Sequence, residues 1–260
     1  VPGVPGYSRY VAIGDSQTEG LWDGDDSTGL RGFADRLAEL LDAHYPGLVY
    51  ANLAVRGRRI RDLLDEQLPQ ALAMSPDLIT VCIGMNDVTR PGPHFDDAMT
   101  ELTDLHALLA ASGATVVTTT FPELSKILPV GRMLAARVLR INAEIRAAAD
   151  RYGFRLVDLY NAPSMTDADT WSADRVHGSP KGHELFAAAA AEALNLPGSN
   201  HDWAERIGVG PSRQTLRSQM LSQALWTQNM LMPWLWRHLR GKSSGDGRGP
   251  RRPRLQTVGV

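Results

Sequence analysis

Ser16, Asp174 and His177 are the residues of this chain whose types and spacing could do chemistry together. Ser16 closes the run Tyr10-Val11-Ala12-Ile13-Gly14-Asp15-Ser16. The apolar segment breaks at Gly-Asp-Ser, which reads as a buried strand delivering a serine into the turn at its C-terminal end. A serine hydroxyl needs helpers to become a nucleophile: a base for its proton, a group to orient that base, and donors for an oxyanion. Asp174 and His177 stand three apart in Trp171-Ser172-Ala173-Asp174-Arg175-Val176-His177-Gly178-Ser179-Pro180. One turn of backbone can hold that carboxylate against that imidazole. Asp174 would then set the tautomer and steady the imidazolium, while the other ring nitrogen takes the Ser16 proton. An isolated Asp-x-x-His is a frequent coincidence, and its weight here comes from the company it keeps.

That company depends on the elements that must position it. After the Ser16 strand, Phe33, Leu37, Leu40 and Leu41 fall at helical spacing, predicting a helix over 32–44. A strand follows over 48–53 and a helix over 60–74 with Pro69 as a dividing point. Residues 77–83 read as a wholly apolar, buried strand. The alternation continues with a helix over 95–112, a strand over 115–120, a helix over 133–152, a strand over 154–158 and a helix over 180–194. Five strand–helix alternations argue for a parallel sheet covered on both faces. Ligands of such sheets bind at the carboxyl ends of the strands. Ser16, Gly57, Asn86 and the Asp174/His177 pair each follow a different predicted strand, so all can meet over one sheet edge.

Gly14-Asp15-Ser16 with Gly20, Gly57 in its Asn52-Leu53-Ala54-x-x-Gly setting, Gly84-Met85-Asn86-Asp87, and Asp174-x-x-His177 resemble the four blocks of the SGNH (GDSL) hydrolases. The likeness is ordered, spaced as in that family, and spans roughly residues 9 to 195. It implies that Ser16 is the nucleophile, His177 the general base and Asp174 its orienter. It also implies that the backbone N–H groups of Ser16 and Gly57 and the side-chain amide of Asn86 form the oxyanion hole. The implied fold is a flavodoxin-like three-layer α/β/α sandwich with a five-stranded parallel sheet. Gln17 departs from the pattern, since family members more often carry an apolar residue after the serine. Asp15 and Asp87 read as loop-bracing acids and His183 as a structural histidine.

The activity implied is serine-dependent acyl transfer from an ester or thioester through an acyl-serine. Resolution by water makes an esterase, lipase or sugar deacetylase. Resolution by a sugar hydroxyl makes an acyltransferase, for example one moving a medium-chain acyl group from acyl-CoA to a sugar or glucosylglycerate-type acceptor. The triad residues alone leave both open. The Trp-rich segment and the Ser-Ser-Gly-Asp-Gly ending resemble a cytoplasmic actinobacterial branch of the family. A competing class is a non-catalytic nucleotide or flavin module on Ser16, Gln17 and Thr18, which leaves Asn86, Asp174 and His177 unexplained. A third is a scaffold whose extension recruits a partner.

Bulk properties narrow the partners. The formal charge of −2 over 260 residues gives no reason to expect nucleic acid. From Arg237 onward, however, seven Lys/Arg face one acid, Asp246. Residues 1–195 therefore read as the catalytic domain and 196–260 as an extension, helical to about 240 and then an irregular basic tail over 241–260. Its Leu, Met and Trp residues between 212 and 240 suit docking on the domain or on a second subunit as a homo-oligomer. That reading is preferred to contact with a membrane surface or to walling an acyl pocket. Cys82 lies in an apolar run and reads as a small buried hydrophobe. The first residues lack the pattern of a signal peptide and no stretch is apolar enough to span a bilayer, so a cytoplasmic location is expected. Asp23, Asp25 and Asp26 lack the Gly and Glu that a calcium loop requires. Gly241-Lys242-Ser243-Ser244-Gly245 follows no strand and is neither nucleophile elbow nor phosphate loop. No metal or redox cofactor is expected.

Overall fold

The computed structural model describes residues 6–128, 131–206 and 244–259. Within them the expected alternation is present. The strands are β1 (Arg9–Gly14), β2 (Gly24–Asp25), β3 (Gly29–Leu30), β4 (Val49–Asn52), β5 (Leu78–Cys82), β6 (Thr115–Thr119), β7 (Arg155–Val157) and β8 (Arg252–Thr257). The helices are α1 (Ser16–Glu19), α2 (Phe33–His44), α3 (Ile60–Asp62), α4 (Leu68–Ala73), α5 (Met85–Thr89), α6 (Phe95–Ala111), α7 (Gly131–Tyr152) and α8 (Pro180–Ala193). The main sheet runs β7-β6-β5-β1-β4-β8. Its first five strands are parallel, in flavodoxin-like order with β1 between β4 and β5. Helices α2 and α8 pack together, as do α6 and α7, and α3 lies against α6, giving the three layers.

Burial follows from that position. β5 is buried at every residue and β1 at every residue after Arg9, because both are paired on two edges and covered on two faces. Each parallel strand ends at the same edge, and the chain order reverses between β1 and β5. Ser16 leaves β1 and Gly84 leaves β5 at that switch point, the crevice where open sheets hold ligands.

Two expectations need correction. The tail over 241–260 is not irregular throughout: Arg252–Thr257 forms β8, antiparallel to β4, and makes the sheet six-stranded. The register shifts between Tyr50 and Asn52, and Pro253 is tolerated because an edge strand with a bulge can spare an amide. Arg252 lies over the Tyr50 ring at 5.6 Å, adding a cation–π contact to the pairing. The loop over 21–31 also carries a small hairpin of β2 and β3. The helix expected over 60–74 is divided just before Pro69 by a π-helical turn, Leu63–Gln67. Residues 212–240, expected to be helical, lie outside the described residues.

Candidate active site

Ser16 is presented by a strand whose last residue is hemmed in by close neighbours. A Cβ on Gly14 would stand 2.5 Å from the Cys82 carbonyl oxygen, so only glycine allows β1 and β5 to converge here. Both backbone groups of Gly14 are then held by one side chain. Gln67 Oε1 accepts the Gly14 N–H at 2.9 Å and its Nε2 donates to the Gly14 carbonyl at 2.9 Å. The π turn before Pro69 carries Gln67, a positioning residue that no motif announced. Asp15 caps α1 by accepting the Gln17 N–H at 3.2 Å, and Asn52 at the end of β4 donates to the Thr18 carbonyl at 2.7 Å. Ser16 therefore starts a helix whose first turn is pinned on three sides.

The structure brings Ser16, His177 and Asp174 into one chain of hydrogen bonds. The Ser16 hydroxyl lies 2.7 Å from His177 Nε2, and His177 Nδ1 lies 2.6 Å from Asp174 Oδ2. With Nδ1–H donated to the carboxylate, Nε2 is the acceptor for the serine proton. Asp174 is caged by its own loop: Oδ1 accepts from Ser172 Oγ at 2.7 Å and from the N–H groups of Val176 and His177 at 2.9 and 3.0 Å. Burial opposes its charge, but the His177 contact and these donors prevail and hold its carboxyl well below the usual carboxylate range. The loop itself is closed by a bridge between Trp171 and Gly178 and by Ser172 N–H donating to the His177 carbonyl at 2.9 Å.

Two further residues grip this arm. Trp22 Nε1 donates to Asp174 Oδ2 at 2.9 Å from a backbone with φ of 71°, a conformation uncommon for a bulky side chain. Gln17 Oε1 accepts the Gly178 N–H at 3.1 Å, while its Nε2 faces the Val176 carbonyl at 3.5 Å. The polar residue at position 17 thus ties the helix of Ser16 to the backbone on both sides of His177. An apolar residue there could not do so.

Asn86 sits one residue into α5, behind Gly84 at φ 121°, where a Cβ would meet Ile141 Cδ1 at 2.5 Å. Its Nδ2 donates to Asp15 Oδ2 at 3.1 Å and to the Arg58 carbonyl at 2.9 Å, so the amide is fixed between the β1 turn and the loop after β4. Both N–H bonds are engaged, and an oxyanion would take one in shared fashion. Gly57, at φ 77°, turns the same loop. Burial pushes the Asp15 carboxyl up to about 6 and the Asp87 carboxyl up to about 7. Asp87 accepts the Ile60 N–H at 3.2 Å and braces α3, as a loop-bracing acid should.

His183 is not part of this assembly. Its Nδ1 accepts the Phe33 N–H at 3.2 Å, its Nε2 donates to the Leu21 carbonyl at 3.0 Å, and burial lowers its pKa to about 4, so it is a neutral strut. Cys82 is buried, and burial raises its thiol pKa. Among the described residues no cluster of His, Cys, Asp and Glu suits a metal, and no helix is long and apolar enough to cross a membrane. A cavity of about 540 Å³ lined by Asp158, Glu192, His201 and Trp203 lies by β7 and shares no residue with this site.

The chain is similar to known proteins. The model of the GDSL-like lipase/acylhydrolase family matches residues 12–185, which contain every residue named in the relay and around Asn86. The chain is 27% identical over 207 residues to an acetylxylan esterase of Geobacillus stearothermophilus, covering 70% of this chain and 91% of that one. Among solved structures it resembles LAE5, an alpha/beta hydrolase from the metagenome of Lake Arreo, Spain, with a TM-score of 0.62 and 24% identity over 74% of this chain and 97% of that one. It also resembles the acetylxylan esterase Axe2 of Geobacillus stearothermophilus, with a TM-score of 0.59 and 21% identity over 73% and 94% of the two chains.

Proposed function

The chain belongs to the GDSL-like lipase/acylhydrolase family and is a serine hydrolase acting on acyl esters, and from that premise we propose that Ser16, His177 and Asp174 carry the reaction. The observation that carries the reading is the continuous relay of 2.7 and 2.6 Å from Ser16 through His177 to Asp174. Ser16 gives its proton to His177 Nε2 as its oxygen attacks the acyl carbon. The tetrahedral oxyanion is received by the N–H groups of Ser16 and Gly57 and the amide of Asn86. His177 then protonates the leaving alcohol, and water, activated by the same ring, releases the acid from the acyl-serine. Structures of Axe2 variants described as catalytic mutants replace a serine, an aspartate and a histidine, the last two three positions apart, as Asp174 and His177 are. That correspondence and the acetylxylan esterase likeness support an O-acetylated or otherwise acylated sugar as the ester cleaved here.

A finer reading makes a sugar hydroxyl the acceptor in place of water, with an acyl-CoA as donor. The resemblance of the Trp-rich ending to the actinobacterial branch supports it, and the mycobacterial octanoyltransferase of methylglucose lipopolysaccharide synthesis is its model. Cytoplasmic location and a small-molecule donor and acceptor belong to the same reading. Flavin or nucleotide binding fits less well, because the Ser16 hydroxyl is already committed to His177.

Intact-protein mass spectrometry after brief exposure to p-nitrophenyl esters and acyl-CoAs tests both. An adduct on Ser16 that clears in water marks the hydrolase, and one that persists until a glycoside is added marks the transferase. Ser16→Ala should abolish adduct and turnover with an unchanged melting temperature; wild-type rates from that variant would overturn the assignment.

A further inference from the structure

The segment from Ser244 to Arg252 lies beyond the family match, yet it touches the turn that carries Gly57. Gly245 is buried, and a Cβ there would stand 2.1 Å from the Arg56 carbonyl oxygen and 3.1 Å from Val55 Cγ1. Only a glycine lets the tail lie this close. Downstream, Arg248 pairs with Asp26 at 2.8 Å, and Asp26 also meets Arg56 at 3.2 Å. Arg251 Nε donates to the Glu19 carbonyl at 2.8 Å, and its Nη2 pairs with Asp35.

The opposite face of Arg56 is held from the nucleophile's own helix. Glu19, three residues after Ser16 and 6% exposed, accepts the Arg56 backbone N–H at 2.7 Å. It also takes the Arg56 guanidinium through Nε at 3.0 Å and Nη2 at 2.8 Å. Arg56 is therefore held at its amide and its side chain, while Gly245 packs against its carbonyl oxygen. That carbonyl belongs to the same planar peptide unit as the Gly57 N–H. A push on the Arg56 oxygen turns the Gly57 N–H with it, because the unit rotates as one body.

We propose that the C-terminal segment is a strap that orients the Gly57 N–H: Gly245 sets the tilt of the Arg56–Gly57 peptide, and Arg248 and Arg251 hold Gly245 in place. Gly245, Arg248 and Arg251 are positioning residues for transition-state binding, and they touch no substrate. The proposal rests on Ser16 as nucleophile and Gly57 as oxyanion donor. It explains why a segment outside the catalytic blocks returns across the molecule to become β8, since pairing with β4 anchors the strap at its far end.

The test compares Gly245→Ala with Gly249→Ala, because a Cβ on Gly249 meets no atom within 4 Å. Active sites are counted with a fluorophosphonate, p-nitrophenyl acetate gives kcat and KM, and a boronic acid reports affinity for a tetrahedral adduct. Gly245→Ala should lose about tenfold in kcat per active site, less than deletion of an oxyanion donor, with KM within about twofold and the boronate Ki rising in proportion. Gly249→Ala should match wild type in all three. A lesion in stability alone would lower the active fraction and leave the boronate Ki unchanged. Should Gly245→Ala fail to fold, Arg251→Met decides: a loss of about threefold in kcat with the same rise in Ki supports the strap. Wild-type kcat and Ki in either folded variant overturns it. A wild-type enzyme that neither labels nor turns over would overturn the nucleophile reading and the strap together.

Discussion

The relay arm and the proposed oxyanion arm of this site are held in different ways. Asp174 and His177 sit in a loop that is largely its own scaffold, with Ser172, Val176 and His177 supplying donors from within three residues of the carboxylate. Arg56 and Gly57 turn on a loop whose holders come from far along the chain: Glu19, Asp26, Gly245 and, through Glu19 and Asp26, Arg251 and Arg248. Local bonds make the relay arm readable as a motif, with Trp22 and Gln17 as its ties to the rest of the fold. Remote bonds make the oxyanion arm responsive to the rest of the fold.

The largest effects test the relay. Asp174→Asn keeps the shape but offers an amide where His177 Nδ1–H needs an acceptor, so the ring loses its productive tautomer. A loss of about 10³- to 10⁴-fold in kcat/KM is expected for ester hydrolysis. A loss below tenfold would mean that the ring is oriented by its loop backbone alone. Asn86→Ala should cost about 10²- to 10³-fold in kcat with little change in KM, as for loss of one oxyanion donor. An unchanged kcat would remove Asn86 from the oxyanion hole and leave it as a tie between Asp15 and Arg58.

These two sites differ in how far the sequence disclosed them. The five parallel strands were legible because each is a short apolar or β-branched run with Gly, Asp, Asn or Pro near its ends, and the relay was legible because Asp174 and His177 lie three apart while Ser16 closes a strand of its own. Gln67, Trp22 and β8 were not. Gln67 reaches Gly14 only because a π turn swings it toward β1, and Pro69 signals a break without saying where the side chain goes. Trp22 reaches Asp174 from a left-handed backbone that no propensity assigns to tryptophan. Arg252–Thr257 pairs on one side only, so it shows none of the apolar continuity of a central strand, and its partner lies some 200 residues earlier.

A smaller effect probes the seam between the arms. Gln17→Leu restores the apolar type common after the serine in this family and removes the bond from Gly178 N–H. A loss of about three- to tenfold in kcat is expected, because His177 is still held by Asp174 but its loop is no longer tied to α1. Steady-state kinetics decide it, and an unchanged kcat would make the local scaffold of the relay loop sufficient by itself.

The smallest effect on catalysis, and the clearest on stability, comes from Asp87 behind Asn86, and Asp174 supplies the contrast in sign. Asp174 is surrounded by donors and its carboxyl is held below the usual range, so its contribution to stability is present above pH of about 4 and fades as pH falls further. Asp87 is the reverse: burial pushes it up to about 7, with the Ile60 N–H and Arg59 opposing. The folded state keeps a proton on Asp87 that the unfolded chain releases near pH 4. Its contribution is therefore full below about 4 and is lost as pH rises toward 7. Asn at position 87 still accepts the Ile60 N–H and carries no charge to bury. Asp87→Asn should melt higher than wild type at pH 8, by an amount corresponding to about 1–3 kcal/mol, and should converge with it near pH 4. Thermal melts across that range check the sign. Parallel curves would show that Asp87 stays solvated and that the seat of Asn86 is wetter than the fold implies.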